Sequence, residues 1–494
     1  MTYPGQGGPN DPGNYPQWQQ QPPVPGQPTP GQQDWQQQQQ QQQWQGGPYP
    51  QTAQFPQQPY QGQGHYGPFP PGGYPGGRPP RRRKRGLIVG LVVALIAVAG
   101  GVATWLAISL SSPAGAETPS EAANTMLAAV QQGDVVGMMD SLAPAESAVL
   151  SDMVTDYVDE LKRLEILDSS ADPEKLSGVT MEATEELVFD DKRAKKINDH
   201  VTMAALTDGT IRFSSDFDQI PLAKKFKDAV IDPQDQAELE AESPSGTLDI
   251  GEVVQRGGEP IYIATVNVDG EWYPSLFYTI AYYALQDAGE QWPSSSTPAV
   301  GADSPNAAVK KLIEGVRTSD LQKVIEVLPP DEMGVLHDLG PLLIEKAGPP
   351  RPPLPFEVTK LETDEESVSG GTRLTLRELE VVINDDGVTR QISVTKDGDC
   401  YTVQADGRSE RLCANDLADR MRADVPSDIP PQAVEPIIEV VQNLFTKSLG
   451  VVTVEVDGQH YVSPLRTYGD LGLTVLKSIE PHHVQALLDA IGPR

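Results

Sequence analysis

The spacing of apolar positions divides the chain into three stretches. Residues 1–80 are built from Gln, Pro and Gly with scattered aromatics and almost no aliphatic side chains. Such a stretch buries too little apolar surface to offset the entropy of ordering, so a disordered tail is expected. Residues 86–110 then run for twenty-five positions without a charge. As a helix rising about 1.5 Å per residue they exceed a hydrocarbon core of roughly 30 Å, which predicts one transmembrane helix. Beyond residue 111 the apolar positions recur first at helical and then at strand periods, which predicts an α+β fold.

The third stretch reads as two similar units. Thr118-Pro119-Ser120-Glu121 has the form of a capping box with Pro at the first helical position, and Ala122, Ala123, Met126, Leu127 and Val130 give that helix an apolar face. The same spacing returns 186 residues later as Ala308, Val309, Leu312, Ile313 and Val316, behind Ser304-Pro305. Gly133-Asp134 answers to Ser319-Asp320, and Pro144 and Glu146 answer to Pro330 and Glu332, where they meet the needs of helix turns and ends.

The far ends match as well. Ile261–Val268 alternates as a strand, turns at Asp269-Gly270 and returns through Trp272-Tyr273 to Ser275. Residues 451–456 do likewise, turning at Asp457-Gly458 and returning through His460-Tyr461 to Ser463. An apolar helical stretch follows each hairpin. Further strands are expected at 197–206 and 210–217 around Thr207-Asp208-Gly209, and at 373–383 and 388–395 around Asn384-Asp385-Asp386-Gly387. Each unit therefore reads helix, helix, strand meander, and the coincident caps and turns indicate a duplication. The expected layout is a tail at 1–80, a basic collar at 81–85, a membrane helix at 86–110, a first unit at 118–288, a linker at 289–302 and a second unit at 303–494.

A first helix, a Gly-Asp or Ser-Asp turn, a second helix ending in Leu-x-Pro, and a terminal Asp-Gly-x-Trp hairpin resemble the nuclear-transport-factor-two-like (cystatin-like) fold. In particular, each unit is similar to the extracytoplasmic versions of that fold on actinobacterial single-pass envelope proteins. The second hairpin departs from the pattern, with His460 where the first has Trp272. The resemblance implies tandem cone-shaped domains that can admit an apolar ligand, and because the two units share few polar residues, binding of a partner or ligand without catalysis is expected. An enzyme hidden in one cone is the alternative it implies, because relatives place an Asp and a His there. A membrane-to-wall tether, or the flagellar basal-body-associated (FliL-like) label some such chains carry, is the other.

Charge sharpens the topology. Arg81, Arg82, Arg83, Lys84 and Arg85 abut the apolar run, so the positive-inside rule predicts a cytoplasmic N-terminus and extracytoplasmic C-terminal units at the plasma membrane. Gly86-x-x-x-Gly90 would let two such helices pack as a homodimer. The net charge is −32, and residues 1–85 are themselves positive, so the rest is strongly acidic. This argues against nucleic acid, whose phosphates demand Lys and Arg. The expected partners are the membrane and another envelope protein, or an apolar or wall-derived ligand.

Chemistry is sparse. The sequence holds no nucleophile elbow, no phosphate-cradling loop and no His-Glu-x-x-His motif, so no catalytic, cofactor or metal residue is expected. His65, His200, His337, His460, His482 and His483 are the histidines. Adjacent His482 and His483 diverge on a helix and read as a surface pair. Cys400 and Cys413 are the only cysteines, and strands meeting at Asp406-Gly407 would set them opposite each other as a disulfide. Trp272, Tyr273, Phe277 and Tyr278 open an aromatic run that either plugs the core or walls a ligand site.

Overall fold

In the N-terminal half, three helices precede a sheet: α1 (Pro119–Gln131), α2 (Val135–Asp140) and α3 (Pro144–Arg163). The sheet is formed by β1 (Val179–Phe189), β2 (Lys195–Lys196), β3 (Val201–Ser215), β4 (Ser245–Asp249), β5 (Ile261–Val268) and β6 (Glu271–Pro274). Helices α4 (Lys224–Val230) and α5 (Ile250–Gly257) interrupt it, and α6 (Leu276–Ala288) follows. The C-terminal half again opens with three helices, α7 (Pro305–Arg317), α8 (Leu321–Glu326) and α9 (Gly334–Ala347). Strands β7 (Phe356–Val368), β8 (Gly371–Asp385), β9 (Val388–Asp397), β10 (Cys400–Ala405) and β11 (Arg408–Cys413) come next. After α10 (Ala414–Ala423) and α11 (Pro431–Lys447), β12 (Gly450–Val456), β13 (Gln459–Val462), α12 (Pro464–Ser478) and α13 (Pro481–Ile491) complete it. This computed structural model describes residues 115–131, 135–171, 179–215, 220–230, 245–385, 387–426 and 429–491, all within one unit, Pro79–Arg494.

The α+β expectation holds, with two antiparallel sheets ordered β1-β3-β5-β6 and β11-β10-β9-β8-β12-β13. Local sequence sets the helix starts as expected. The Thr118 hydroxyl accepts from Glu121 N at 3.2 Å, Ser304 from Ala307 N at 3.2 Å, and Asp320 from Lys323 N at 3.3 Å. The hairpins at Asp269-Gly270, Asp385 to Gly387, Asp406-Gly407 and Asp457-Gly458 join the strands they were expected to join. Cys400 and Cys413 face each other in register and are bridged.

One strand differs. Thr207-Asp208-Gly209 does not turn: β3 runs through it as one strand of 15 residues. Residues 201–206 of β3 pair with β5 and 210–214 with β4, so both ends have partners, and Gly209 takes φ +120 to absorb the bend.

The membrane expectation is corrected. No helix among the described residues is long and apolar enough to cross a membrane. The longest, α3, carries Glu146, Asp152, Asp156, Asp159, Glu160, Lys162 and Arg163, and charge at that density is incompatible with hydrocarbon. The 86–110 run, its collar Arg81–Arg85 and the tail lie outside the described residues. The transmembrane, single-pass and plasma-membrane assignments therefore have no described helix to rest on.

The third helix of each half, which the helix-helix-meander reading omitted, decides how the halves meet. Helix α3 leaves the first half and packs on α12 of the second. Val154, Tyr157, Val158, Leu161 and Leu164 share one core with Leu473, Leu476 and Ile479. Tyr157 donates to Gly469 O at 3.2 Å, and Arg163 reaches the carbonyls of Leu476 and Ile479. In return α9 of the second half packs on the first, where Val335, Leu336 and Leu339 join Tyr273, Tyr278, Ala281 and Tyr282. Each large apolar side chain so covered contributes about 1.5–3 kcal/mol, so the exchange ties both halves into one body.

Candidate functional site

Near the start of each third helix stands a buried glutamate that bonds within its own half. Glu146 accepts from the Ser275 hydroxyl and from Leu276 N at 2.8 Å. Glu332 accepts from Ser463 Oγ at 2.5 Å. Glu146 stands in the first turn of its helix as expected, and beyond that each glutamate ties its helix to the serine that caps the helix after the terminal hairpin. Burial pushes the Glu146 carboxyl up to about 7, against the opposing bonds from Ser275, Leu276 and Phe277.

Six residues further along the third helix each half carries an aspartate, Asp152 or Asp338, and here the crossings part. Asp338 Oδ2 gathers three groups of the first half: Asn198 Nδ2 at 2.8 Å, Tyr278 OH at 2.9 Å and His200 Nε2 at 2.9 Å. The turn before β3 makes this possible. Asn198 Oδ1 accepts from the backbone N–H of His200 and Val201, folding the chain so that both side chains face α9. The hydrogen bond to Asp338 holds the His200 imidazole above its ordinary pKa, although burial opposes it. Burial works against the Asp338 charge, yet bonds from His200 and Tyr278 hold its carboxyl below the usual value. Tyr278 is raised, by burial first and then by the Asp338 charge.

Beside this cluster opens a cleft of about 510 Å³. Its walls come from both halves: Ala143 to Glu146, His200, Asn267 and Tyr278 on one side, Asp331, His337 and Asp338 on the other, with Ser296 to Ala299 of the connecting segment across it. That segment is pinned rather than free. Thr297 N donates to His337 O at 2.8 Å, and the His337 ring nitrogens stand 3.0 Å from Thr297 O and 3.1 Å from Leu328 O.

The other crossing has no such room. Arg466, on α12, gives Nε to Glu332 at 2.6 Å and Nη1 to Asp152 at 2.6 Å and to Ser369 O at 3.1 Å. Gly370, at φ +67, makes space: a Cβ there would collide with the guanidinium. The cavity left is about 30 Å³.

Of the expected ligand-wall residues, Tyr273 and Tyr278 are buried in the first-half core and Phe277 packs against it. Tyr278 alone of the four also lines the cleft, with Trp292 stacked on it at 5.8 Å. His460 pairs within the β12–β13 hairpin, bridging to Ala302. His65 lies outside the described residues. The surface reading of His482-His483 is corrected for His483, which is 1 % exposed. Both rings reach Glu439 Oε2, His482 Nε2 at 3.2 Å and His483 Nε2 at 2.8 Å. The trio has metal-like spacing, but Glu480 N donates to His483 Nδ1 at 2.9 Å. A neutral ring accepting there carries its proton on Nε2, the nitrogen a metal would need. The trio is a latch between α11 and α13.

Sequence reasoning missed Asp338, Asn198 and Arg466 because their partners lie far along the chain. Asn198 carried the one local signal, an Asx turn ahead of a strand. Compared with known families, curated proteins and solved structures, the chain matches none.

Proposed function

We propose that the protein is a ligand-binding or sensing module rather than an enzyme, built from tandem units of the nuclear-transport-factor-two-like type. The tandem reading is supported by the paired arrangement: Ala116 bridges Trp272 as Ala302 bridges His460, and Glu146 meets Ser275 as Glu332 meets Ser463. Thr265 donates to Thr202 O as Thr453 donates to Thr372 O. The functional reading rests on one observation. The cleft draws its walls from both halves and is of the size that holds a small molecule. A ligand there touches Tyr278 and Asp338 together, so its occupancy feeds into the contact that joins the halves. The Cys400–Cys413 bridge suits an oxidising compartment.

A broad fragment panel against the full chain, followed by NMR of labelled His and Tyr side chains, tests this. Binders should shift His200 and Tyr278 and lose affinity in Asp338→Asn. A panel that leaves both signals unmoved removes the cleft from consideration.

The His200–Asp338 pair favours a second reading, general acid–base chemistry on a cleft-bound compound. The hydroxyl beside the His200 ring is that of Tyr278, at 3.4 Å from Nε2, and it is itself bonded to Asp338. Turnover of any cleft binder by the native chain, lost in His200→Gln while binding persists, would establish the enzyme instead.

A further inference from the structure

One crossing is held by a cation, Arg466, where the other has Tyr278. One guanidinium, that of Arg466, neutralises both Glu332 and Asp152. At the other crossing Glu146 of the first half and Asp338 of the second take the matching positions, and Tyr278 stands where Arg466 does, three residues after the capping serine. Tyrosine has a single donor and no positive charge. Its hydroxyl goes to Asp338, which leaves Glu146 with hydrogen bonds but no countercharge among its partners.

The cleft wall offers no replacement. Among the described residues it contains three carboxylates, Glu146, Asp331 and Asp338, and neither Lys nor Arg. Of its two imidazoles, His200 is turned to Asp338 and His337 to backbone carbonyls. Glu146 is 4 % exposed. A carboxylate so buried gains from a cation far more than one in water does.

We propose that the cleft binds a guanidinium group, carried by a small molecule or by an arginine side chain of a peptide, which bridges Asp338 and Glu146 as Arg466 bridges Asp152 and Glu332. The proposal rests on the cleft being the ligand site. The planar fork of donors suits two acceptors set apart better than a point-charge ammonium does.

The test is a titration of the full chain with agmatine and with a blocked Gly-Arg-Gly peptide, against 1-butanol and acetate as neutral and anionic comparators. The guanidinium compounds should bind saturably and shift the Tyr278 and His200 signals. Binding should fall at least about tenfold in Glu146→Gln and in Asp338→Asn. The double variant Tyr278→Arg/His200→Gly gives the first half the pattern of the second and supplies the guanidinium in place; it should abolish binding. Thermal unfolding reports whether each variant is folded, and if the double variant is not, the two carboxylate variants decide. Tighter binding of agmatine identifies a small-molecule ligand, and tighter binding of the peptide identifies a protein arginine. Guanidinium compounds that bind no better than the comparators, or equally well to all variants, overturn the proposal. In that event shifts caused by other fragments would leave the cleft as a site for a different chemistry, whereas silence from every probe would remove both readings.

Discussion

The two crossings of this molecule share a scaffold and differ in their filling. On one, Arg466 spans Glu332 and Asp152 and leaves a space of about 30 Å³. On the other, Tyr278 and His200 meet Asp338 beside a cleft of about 510 Å³. Three exchanges account for the difference. Leu276 offers Glu146 a backbone N–H at 2.8 Å, whereas Pro464, the residue after Ser463, has none, and Glu332 takes the Arg466 Nε instead. Gly370 admits the guanidinium where a side chain would obstruct it. Tyr278 is too short of donors to serve both carboxylates. A permanently charged clasp therefore closes one crossing, and a titratable clasp leaves the other open.

The largest test of this contrast is Arg466→Met. It strands the buried Glu332 charge, and urea unfolding should show a loss of about 3–5 kcal/mol. Adding Glu332→Gln should recover part of it. A loss below about 1 kcal/mol, the range of exposed pairs, would show that the closed crossing is held by packing alone.

Next comes pH. The Glu146 carboxyl titrates near 7 in the folded chain and near 4.5 when unfolded, so between those values the folded state binds the extra proton. Stability must therefore fall as the pH rises through that window, by about 3 kcal/mol in all. Chemical unfolding of native protein and Glu146→Gln across pH 4 to 8 checks this. The variant should lose that slope, and parallel curves would contradict the buried, uncompensated acid.

A smaller effect is expected from Asp338→Asn, about 1–2 kcal/mol through the bonds from Tyr278 and Asn198. In the same variant His200 should titrate lower, back toward its ordinary value, in an NMR titration. In the native chain His200, held above its ordinary value, stabilises at acid pH and loses that contribution as the pH rises through its folded pKa. Smallest of all, Tyr278→Phe should cost about 1 kcal/mol, since it removes one hydroxyl and keeps the stack on Trp292. An equal loss in Tyr278→Phe and Asp338→Asn would mean that His200 and Asn198 add nothing to the clasp.

Much of the local structure was legible because its causes are local. The caps at Thr118, Ser304 and Asp320, the Asp-Gly hairpins and the cysteine pairing all depend on residues a few positions apart. Helix α3 carried a signal too, with Val154, Tyr157, Val158 and Leu161 at helical spacing, but acidic residues between them masked it. The turn expected at Asp208-Gly209 failed for the opposite reason. A strong local turn signal was overridden by partner strands: β5 and β4 hold the two ends of β3 and β1 pairs across the bend at Gly209.

The sequence by itself determined the first two helices of each half with their caps, the terminal hairpins and the cysteine hairpin, and that the two ends of each half match. Only the tertiary structure decided that α3 lies on the second half and α9 on the first. That choice brings Tyr278 to Asp338 across 60 positions and Arg466 to Asp152 across 314. The physical reason is range. A cap or hairpin is stabilised by neighbours along the chain, whereas a buried carboxylate takes whatever donor the packed helices deliver, and no local pattern records which one that will be.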